Sequence, residues 1–303
     1  MLLCTVALLP LVGAPDAAAL VRPPAAVLVE DEKATEWADQ PGKKALTKTI
    51  GKLRKAASDE MLRQGREEVL AFGSGAAPGL LAALGKEKDE DAAARFREAL
   101  DSITKPAHTR LLAAEFDAKR APTQLYAMRR VAELGDPGLR EDAEARWSEL
   151  QEMKADPKRK KKVTEELELH AAVLTLSTGS PASLAACLTV AGDKAYKRWE
   201  PTLDAAAANA GAAGAEVGDL LAEELSGQSG MRERLAALRL LTWAGHEAHA
   251  KAIAPALDAR ENNVKIEAIN ALRRIVDGEE PIARLSAFAA IEEAGKWKKR
   301  IGG

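Results

Sequence analysis

The sequence predicts an all-α protein, a right-handed α/α superhelix (solenoid) of about six to seven antiparallel helix pairs. Hydrophobic residues make up 47% of the chain but aromatic residues only 4%. The apolar content is therefore mainly Ala, Leu and Val, of which Ala and Leu favour helices. No segment shows the sustained alternation of β-branched residues that marks a strand. Gly179, Gly211, Gly245 and Gly278 follow helix-like stretches at intervals of 32, 34 and 33 residues, which is typical of stacked helix–turn–helix repeats.

Each predicted pair consists of an amphipathic helix, a turn and a return helix. In the third pair, Gly135 supplies the left-handed residue that ends a helix, and Pro137 prevents its continuation. In the fourth pair, Ser180 is expected to cap the return helix, with Pro181 in its first turn. The first helices are predicted at 61–72, 92–103, 123–134, 163–176, 205–215, 231–244 and 264–276, and the last return helix at 281–294.

One interval is longer than the others. Gly135 and Gly179 are 44 residues apart, and the excess falls at 154–162, which includes the basic run 158–162. Because an insertion in a repeat array maps to a loop on one edge, we expect an inter-helix loop here.

The chain divides into three predicted segments. Residues 1–19 are apolar and uncharged up to Pro15 and end in small residues, as in a signal peptide; the apolar core of about thirteen residues is shorter than the roughly twenty that span a bilayer. Residues 20–57 read as a linker with lead-in helices, in which Trp37 is expected to pack on the first repeat, and 58–298 form the array. We therefore favour an exported protein, periplasmic or in the cell envelope, without a transmembrane span in its mature chain. The alternative is a cytoplasmic protein in which 1–19 packs as a helix on the first repeat.

Several motifs give the array a family resemblance. The helix-ending LGDP at 134–137, the similar GSPASLAACL at 179–188 and the alanine–leucine stripe at 236–241 resemble the HEAT-repeat family, especially its bacterial members. The resemblance covers roughly 58–298 and implies HEAT-like repeats of the armadillo type. It also implies a non-catalytic scaffold whose inner helices line a concave binding face.

The net charge narrows the classes of partner. The formal net charge is −2, without the basic excess typical of proteins that neutralise nucleic-acid phosphates. A protein or peptide partner is therefore favoured, and nucleic acid is not expected.

The two cysteines predict no internal disulfide. Cys4 lies in the predicted leader, which leaves Cys187 without a partner for an internal disulfide. We expect Cys187 to be a small buried hydrophobic residue.

The sequence assigns no catalytic, cofactor-binding or metal-binding residue, and no cofactor. His246 and His249 flank Glu247 at a turn, a pattern that could hold a metal, although a capped turn is the favoured interpretation. The basic run 158–162 could contact phosphate or an anionic surface but reads better as a solvated loop. The tail 296–300 is expected to cap the last helix with cations that favour its dipole.

The sequence therefore predicts an exported, non-enzymatic scaffold that binds a protein or peptide along its concave helices. The alternative is a nucleic-acid-binding or metal-dependent enzyme on the same array, for which Trp147, Trp199 or Trp243 would line a continuous basic groove. A third hypothesis places the protein's own N-terminal segment in the groove.

Leu238 tests the array. It lies on the predicted inward stripe of the helix 231–244, so Leu238→Ala is expected to lower the free energy of unfolding by about 2–5 kcal/mol, the range for emptying a packed leucine site. Urea denaturation measures this change, and a variant that unfolds like the wild type would show that Leu238 is exposed.

Overall fold

The computed structural model describes residues 34–226 and 229–302, and these residues form helices and turns with no strand among them. The all-α class predicted from the sequence is thus confirmed for the described ranges. The predicted signal peptide 1–19 and the first part of the linker lie outside the described residues. No helix within the described ranges is both long and apolar enough to cross a bilayer.

The α-helices follow one another through short turns, and most return helices are brief. In chain order they are α1 (Lys43–Arg54), α2 (Asp59–Phe72), α3 (Ala77–Leu84), α4 (Glu90–Ile103), α5 (Thr109–Ala113), α6 (Ala121–Leu134), α7 (Arg140–Ala155), α8 (Glu165–Ser177), α9 (Leu184–Ala191), α10 (Tyr196–Ala213), α11 (Glu216–Ser226), α12 (Met231–Ala244), α13 (Ala250–Ile253), α14 (Asn262–Leu272) and α15 (Ala287–Ile301).

Four of the turns share one plan, in which a 3₁₀ turn leads into the return helix and a side chain of the turn binds a backbone N–H. Asp136 accepts from the N–H of Gly138 (3.0 Å) and Ser180 from that of Ala182 (3.2 Å). In the other two turns a histidine accepts the hydrogen bond. Nδ1 of His108 accepts from the N–H of Lys105 (3.0 Å), and Nδ1 of His249 accepts from that of His246 (2.9 Å). These side chains satisfy helix-terminal donors that have no partner within the helix.

The helices pack in two sets. Along one set, which we call the central row (α6, α8, α10, α12 and α14), each helix contacts the next. The intervening helices α5, α7, α9, α11 and α13 pack against members of this row. α8 is enclosed by α6, α7, α9 and α10, so every residue from 169 to 177 is buried. This enclosure explains why α8 carries no acidic or basic residue other than His170 after its first turn.

The core confirms two residue predictions. Leu238 and Cys187 are both fully buried, and burial raises the pKa of the Cys187 thiol to about 12, which keeps it protonated and unreactive.

Three predicted boundaries are wrong. Gly211 does not end a helix: it lies inside α10, where it packs on the backbone of Ala244, and the turn comes at Gly214 with φ 159°. α10 also begins at Tyr196, well before residue 205, because Tyr196 is buried and anchors its first turn.

The last return helix begins at Ala287, where Ser286 caps it, and not at residue 281. The residues before it are not helical because the side chain of Asn270 binds the main chain of Ile282. The loop expected at 154–162 begins slightly later, because helix α7 continues through Ala155. The basic run 158–162 lies in the exposed segment that follows.

The described part of the lead-in segment crosses the turns of the first two pairs. The ring of Trp37 stacks on His108 with centroids 5.4 Å apart, and the N–H of Ala34 donates to Ala107 O (2.9 Å). A Cβ at position 75 would lie 2.2 Å from Asp39 O, so this crossing requires glycine there. Trp37 therefore packs on the turn of the second pair, whereas the sequence placed it on the first repeat.

Gly211 tests the close approach of α10 to α12. An added Cβ at position 211 would lie 2.8 Å from Ala244 O, whereas one at Gly295, inside α15, would meet nothing within 4 Å. Gly211→Ala is expected to lower the free energy of unfolding by about 1–3 kcal/mol through overpacking. The control, Gly295→Ala, is expected to raise it by about 0.5–1 kcal/mol, since alanine is the better helix former. Equal denaturation curves for the two variants would contradict the contact between α10 and α12.

Candidate functional site

Two clefts flank the first turns of α10 and form the candidate functional site. Cleft A, of about 650 Å³, is lined by residues of α4, α6, α8 and α10 together with the turn before α4. Cleft B, of about 360 Å³, is lined by α10, α12, α14 and the segment 281–283. Since α10 contributes to both, one helix determines where the two clefts lie relative to each other.

A hydrogen-bonded network of polar side chains forms the wall of cleft B. The hydroxyl of Tyr196 donates to Asp204 Oδ1 (2.9 Å), and the indole N–H of Trp243 donates to the same carboxylate. The guanidinium of Arg239 lies 4.3 Å from the centroid of the Tyr196 ring, and its Nε donates to Glu267 Oε1 (3.3 Å). Burial raises the pKa of Tyr196 above its ordinary value, so its hydroxyl remains a donor.

The carboxylates of cleft B outnumber its cations. Burial raises the pKa of Asp204 to about 6; the hydrogen bonds from Tyr196 and Trp243 oppose this rise, and the nearby charges of Glu200 and Glu267 add to it. Burial also raises the pKa of Glu267, although Arg239 beside it acts in the opposite direction. Arg239 is the one basic side chain in the described lining. Cleft B therefore favours a cationic group from a ligand.

The outer wall of cleft B is held in place by Asn270. Its Oδ1 accepts from the N–H of Ile282 (2.8 Å), and its Nδ2 donates to Ile282 O (3.4 Å). Both ends of one amide thus bind one residue of the segment 281–283. This pairing fixes a non-helical stretch against α14.

In cleft A, two arginines of α6 bind the last turn of α4. Arg129 donates to both carboxylate oxygens of Asp101 (2.9 and 3.0 Å), and Arg130 donates to Asp101 O and Thr104 O (both 2.8 Å). On the opposite side, His170 packs edge-on against Trp199 with ring centroids 4.8 Å apart. The cleft thus has an α4 wall rich in carboxylates and an opposite wall that carries His170 and arginines.

His246 and His249, the histidines considered as metal ligands from the sequence, stabilise the turn before α13. Besides accepting from the N–H of His246, His249 places Nε2 3.0 Å from Asp219 Oδ1. Both ring nitrogens of His249 are therefore engaged, which supports the capped turn over a metal site. Within the described ranges no three His, Cys, Asp or Glu side chains are grouped as metal ligands would be.

The two basic segments lie apart from the clefts. The run 158–162 lies in an exposed loop, where Arg159 is 3.6 Å from Glu149. In the tail, Arg300 stacks over the buried ring of Trp297 (4.7 Å) and donates to both oxygens of Asp277. These contacts support the interpretation of the tail as a packed helix end.

The tryptophans do not line a basic groove. Trp243 lines cleft B among carboxylates, Trp199 supports His170, and Trp147 lines neither cleft. The network of cleft B is not evident from the sequence. Its one local signal was the spacing of Tyr196, Glu200 and Asp204, which places three polar side chains on one face of α10.

Comparisons of the chain with protein-family models, with curated proteins and with solved structures find no match. The function of the clefts is therefore argued from their own geometry.

Asp204 tests the electrostatics of cleft B. Its folded-state pKa of about 6 exceeds its ordinary value, so the folded protein binds more protons than the unfolded chain between about pH 4 and pH 6. Stability is therefore lost as the pH rises through this window. Asp204→Asn cannot ionise but can still accept from Tyr196, and we expect it to be more stable than the wild type at pH 8 by about 1–2 kcal/mol, after discounting for partial exposure.

Urea denaturation at several pH values measures this difference, which should shrink towards pH 4. Glu292→Gln, on the exposed side of α15, is the control and should leave the pH dependence unchanged. A constant gap between Asp204→Asn and the wild type at every pH would contradict the assignment of Asp204.

Proposed function

We propose that this protein is an exported, non-enzymatic scaffold, a HEAT-like α-solenoid that binds a protein or peptide segment across clefts A and B. The four turns of shared plan support a repeated helix pair as its unit. The apolar segment 1–19 supports export to the periplasm or cell envelope. In this proposal the array is a right-handed superhelix of about six to seven repeats.

The spacing of the helices supports one side of the array as its concave face. In a curved two-layer array, helices on the inner arc lie closer together than those on the outer arc. Each helix of the central row contacts the next, whereas in the other set only α11 and α13, among the described helices, make more than slight contact. We therefore assign the central row, and the clefts it lines, to the inner arc.

The observation that carries the proposal is the pair of clefts on either side of α10. A bound segment that crossed both would meet hydrogen-bonding groups and charges from at least five helices, while each repeat still buries its apolar face on its neighbours. The carboxylates of cleft B suit a lysine or arginine side chain. The same carboxylates repel phosphate, which argues against the nucleic-acid alternative.

The test is capture of partners from an envelope extract by immobilised protein, with three forms compared. The wild type is expected to retain a saturable partner. The double variant Asp204→Asn/Glu267→Gln, which removes two carboxylates from cleft B, is expected to bind it at least about tenfold more weakly, the loss of one charge-assisted hydrogen bond or more.

The matched control Glu141→Gln/Glu152→Gln removes two exposed carboxylates from α7, outside both clefts, and should bind like the wild type. Circular dichroism of each form verifies that it is folded. Absence of any saturable partner, or equal capture by the cleft B variant, would overturn the proposal.

A further inference from the structure

The imidazole of His170 is an unsatisfied polar group at cleft A. Its side chain is 8% exposed and lines the cleft, and Nδ1 has no hydrogen-bond partner among the described residues. A neutral imidazole carries one donor and one acceptor nitrogen, and buried polar groups are nearly always hydrogen-bonded in folded proteins. Nδ1 is itself buried and out of a ligand's reach, so the ring atom that a ligand in cleft A can meet is Nε2, which has no hydrogen bond to the described residues.

The charges that act on the imidazole of His170 are those of two arginines. Burial lowers the pKa of His170 to about 4, and the positive charges of Arg129 and Arg198 lower it further. The imidazole is therefore neutral at physiological pH, and an anionic ligand would not have to displace a carboxylate already paired with it.

The two arginines differ in how firmly they are held. Arg129 is bound by Asp101 and by Glu133 (2.5 Å). Arg198 is 74% exposed and has one long ion pair, 3.5 Å, with Glu166. Arg198 is thus the cation that can turn towards a ligand beside His170.

The carboxylates of the α4 wall are already bound by cations. Glu90 pairs with Arg97 and Glu98 with Arg66, while Asp101 binds Arg129 as described above. Apart from Lys88 in the turn before α4, the uncommitted donors of cleft A therefore lie on the side of His170 and Arg198. This asymmetry favours an acceptor group there.

We propose that cleft A binds a carboxylate, an acidic side chain of the partner segment, which accepts hydrogen bonds from the imidazole N–H of His170 and the guanidinium of Arg198. The proposal rests on the proposed function and adds a polarity to it, with an acidic group in cleft A and a cationic group in cleft B.

The experiment titrates isotopically labelled full-length protein with N-acetyl-glutamate amide and follows the ring resonances of His170 by NMR. N-acetyl-glutamine amide is the uncharged control, and inorganic phosphate is a third probe. The glutamate probe should shift the His170 resonances saturably, and the glutamine probe should bind at least about tenfold more weakly, as expected for loss of a charge-assisted hydrogen bond. Phosphate that binds as well as the glutamate probe would overturn the assignment to a carboxylate.

Four variants test whether the probe binds at His170 and Arg198 or responds to a general change of charge. In the variant that lacks the imidazole, binding is followed through the indole resonance of Trp199. Arg198→Gln and His170→Phe should each weaken the glutamate probe about tenfold; phenylalanine keeps the packing on Trp199 without ring nitrogens. Glu166→Gln releases Arg198 and should tighten binding about two- to fivefold. Arg63→Gln, an exposed arginine of α2 outside both clefts, is the matched control and should change affinity less than about twofold.

Equal losses for Arg63→Gln and Arg198→Gln, in variants shown to be folded, would overturn the site. The partner-capture experiment distinguishes this failure from that of the scaffold function. A partner retained equally by the wild type and Arg198→Gln would leave the scaffold function standing and remove the proposed carboxylate site.

Discussion

The structure depends on the close approach of α10 to its neighbours in the central row. Gly211 of α10 lies against the backbone of Ala244 in α12, and Gly179, after α8, lies against Ala213. Asn209, near the C-terminal end of α10, donates to Ala132 O (2.8 Å) and Glu133 O (3.2 Å) and so caps the last turn of α6. Residues without bulky side chains at these crossings let three helices pack on one, which explains why this stretch is rich in alanine and glycine.

The same helix carries the chemistry at its other end. The last turns of α10 are fixed by contacts with α6, α8 and α12, and its first turns place Arg198 in cleft A and Glu200 and Asp204 in cleft B. The arginines near cleft B are bound to aromatic rings, Arg239 on Tyr196 and Arg274 on Trp243. Burial raises the pKa of Asp204, and neither of these arginines pairs with it, because Arg239 pairs with Glu267 and Arg274 with Glu280. Packing therefore creates the unbalanced charge of the cleft.

Local sequence patterns were sufficient for most helices but not for the clefts. The turn at Gly135 is predictable because a glycine followed by Asp-Pro commonly ends a helix, and the structure gives this glycine a positive φ of 71°. Gly211 was misread because a glycine that permits a turn and one that permits a close helix crossing look alike in sequence. The start of α15 was missed because it depends on Asn270, twelve residues away from Ile282.

The network of cleft B joins residues that are far apart in the chain. Tyr196, Trp243 and Glu267 come from three different helices, and only their packing brings them together. His170 was equally invisible as a site residue, since a histidine in an apolar helix reads as core. Its lack of a partner is a property of the folded protein and has no local signal.

The two clefts differ in the charge that they favour, and this difference has a consequence for recognition under the proposed function. A segment that placed its acidic group in cleft A and its basic group in cleft B would satisfy Arg198 and Asp204 together. Reversing the same segment would set its carboxylate against Asp204 and its cation against Arg198, and like charges brought together at an interface are strongly unfavourable. Since α10 fixes the clefts relative to each other, the direction in which a partner lies across the face follows from the charges that one helix presents on its two sides.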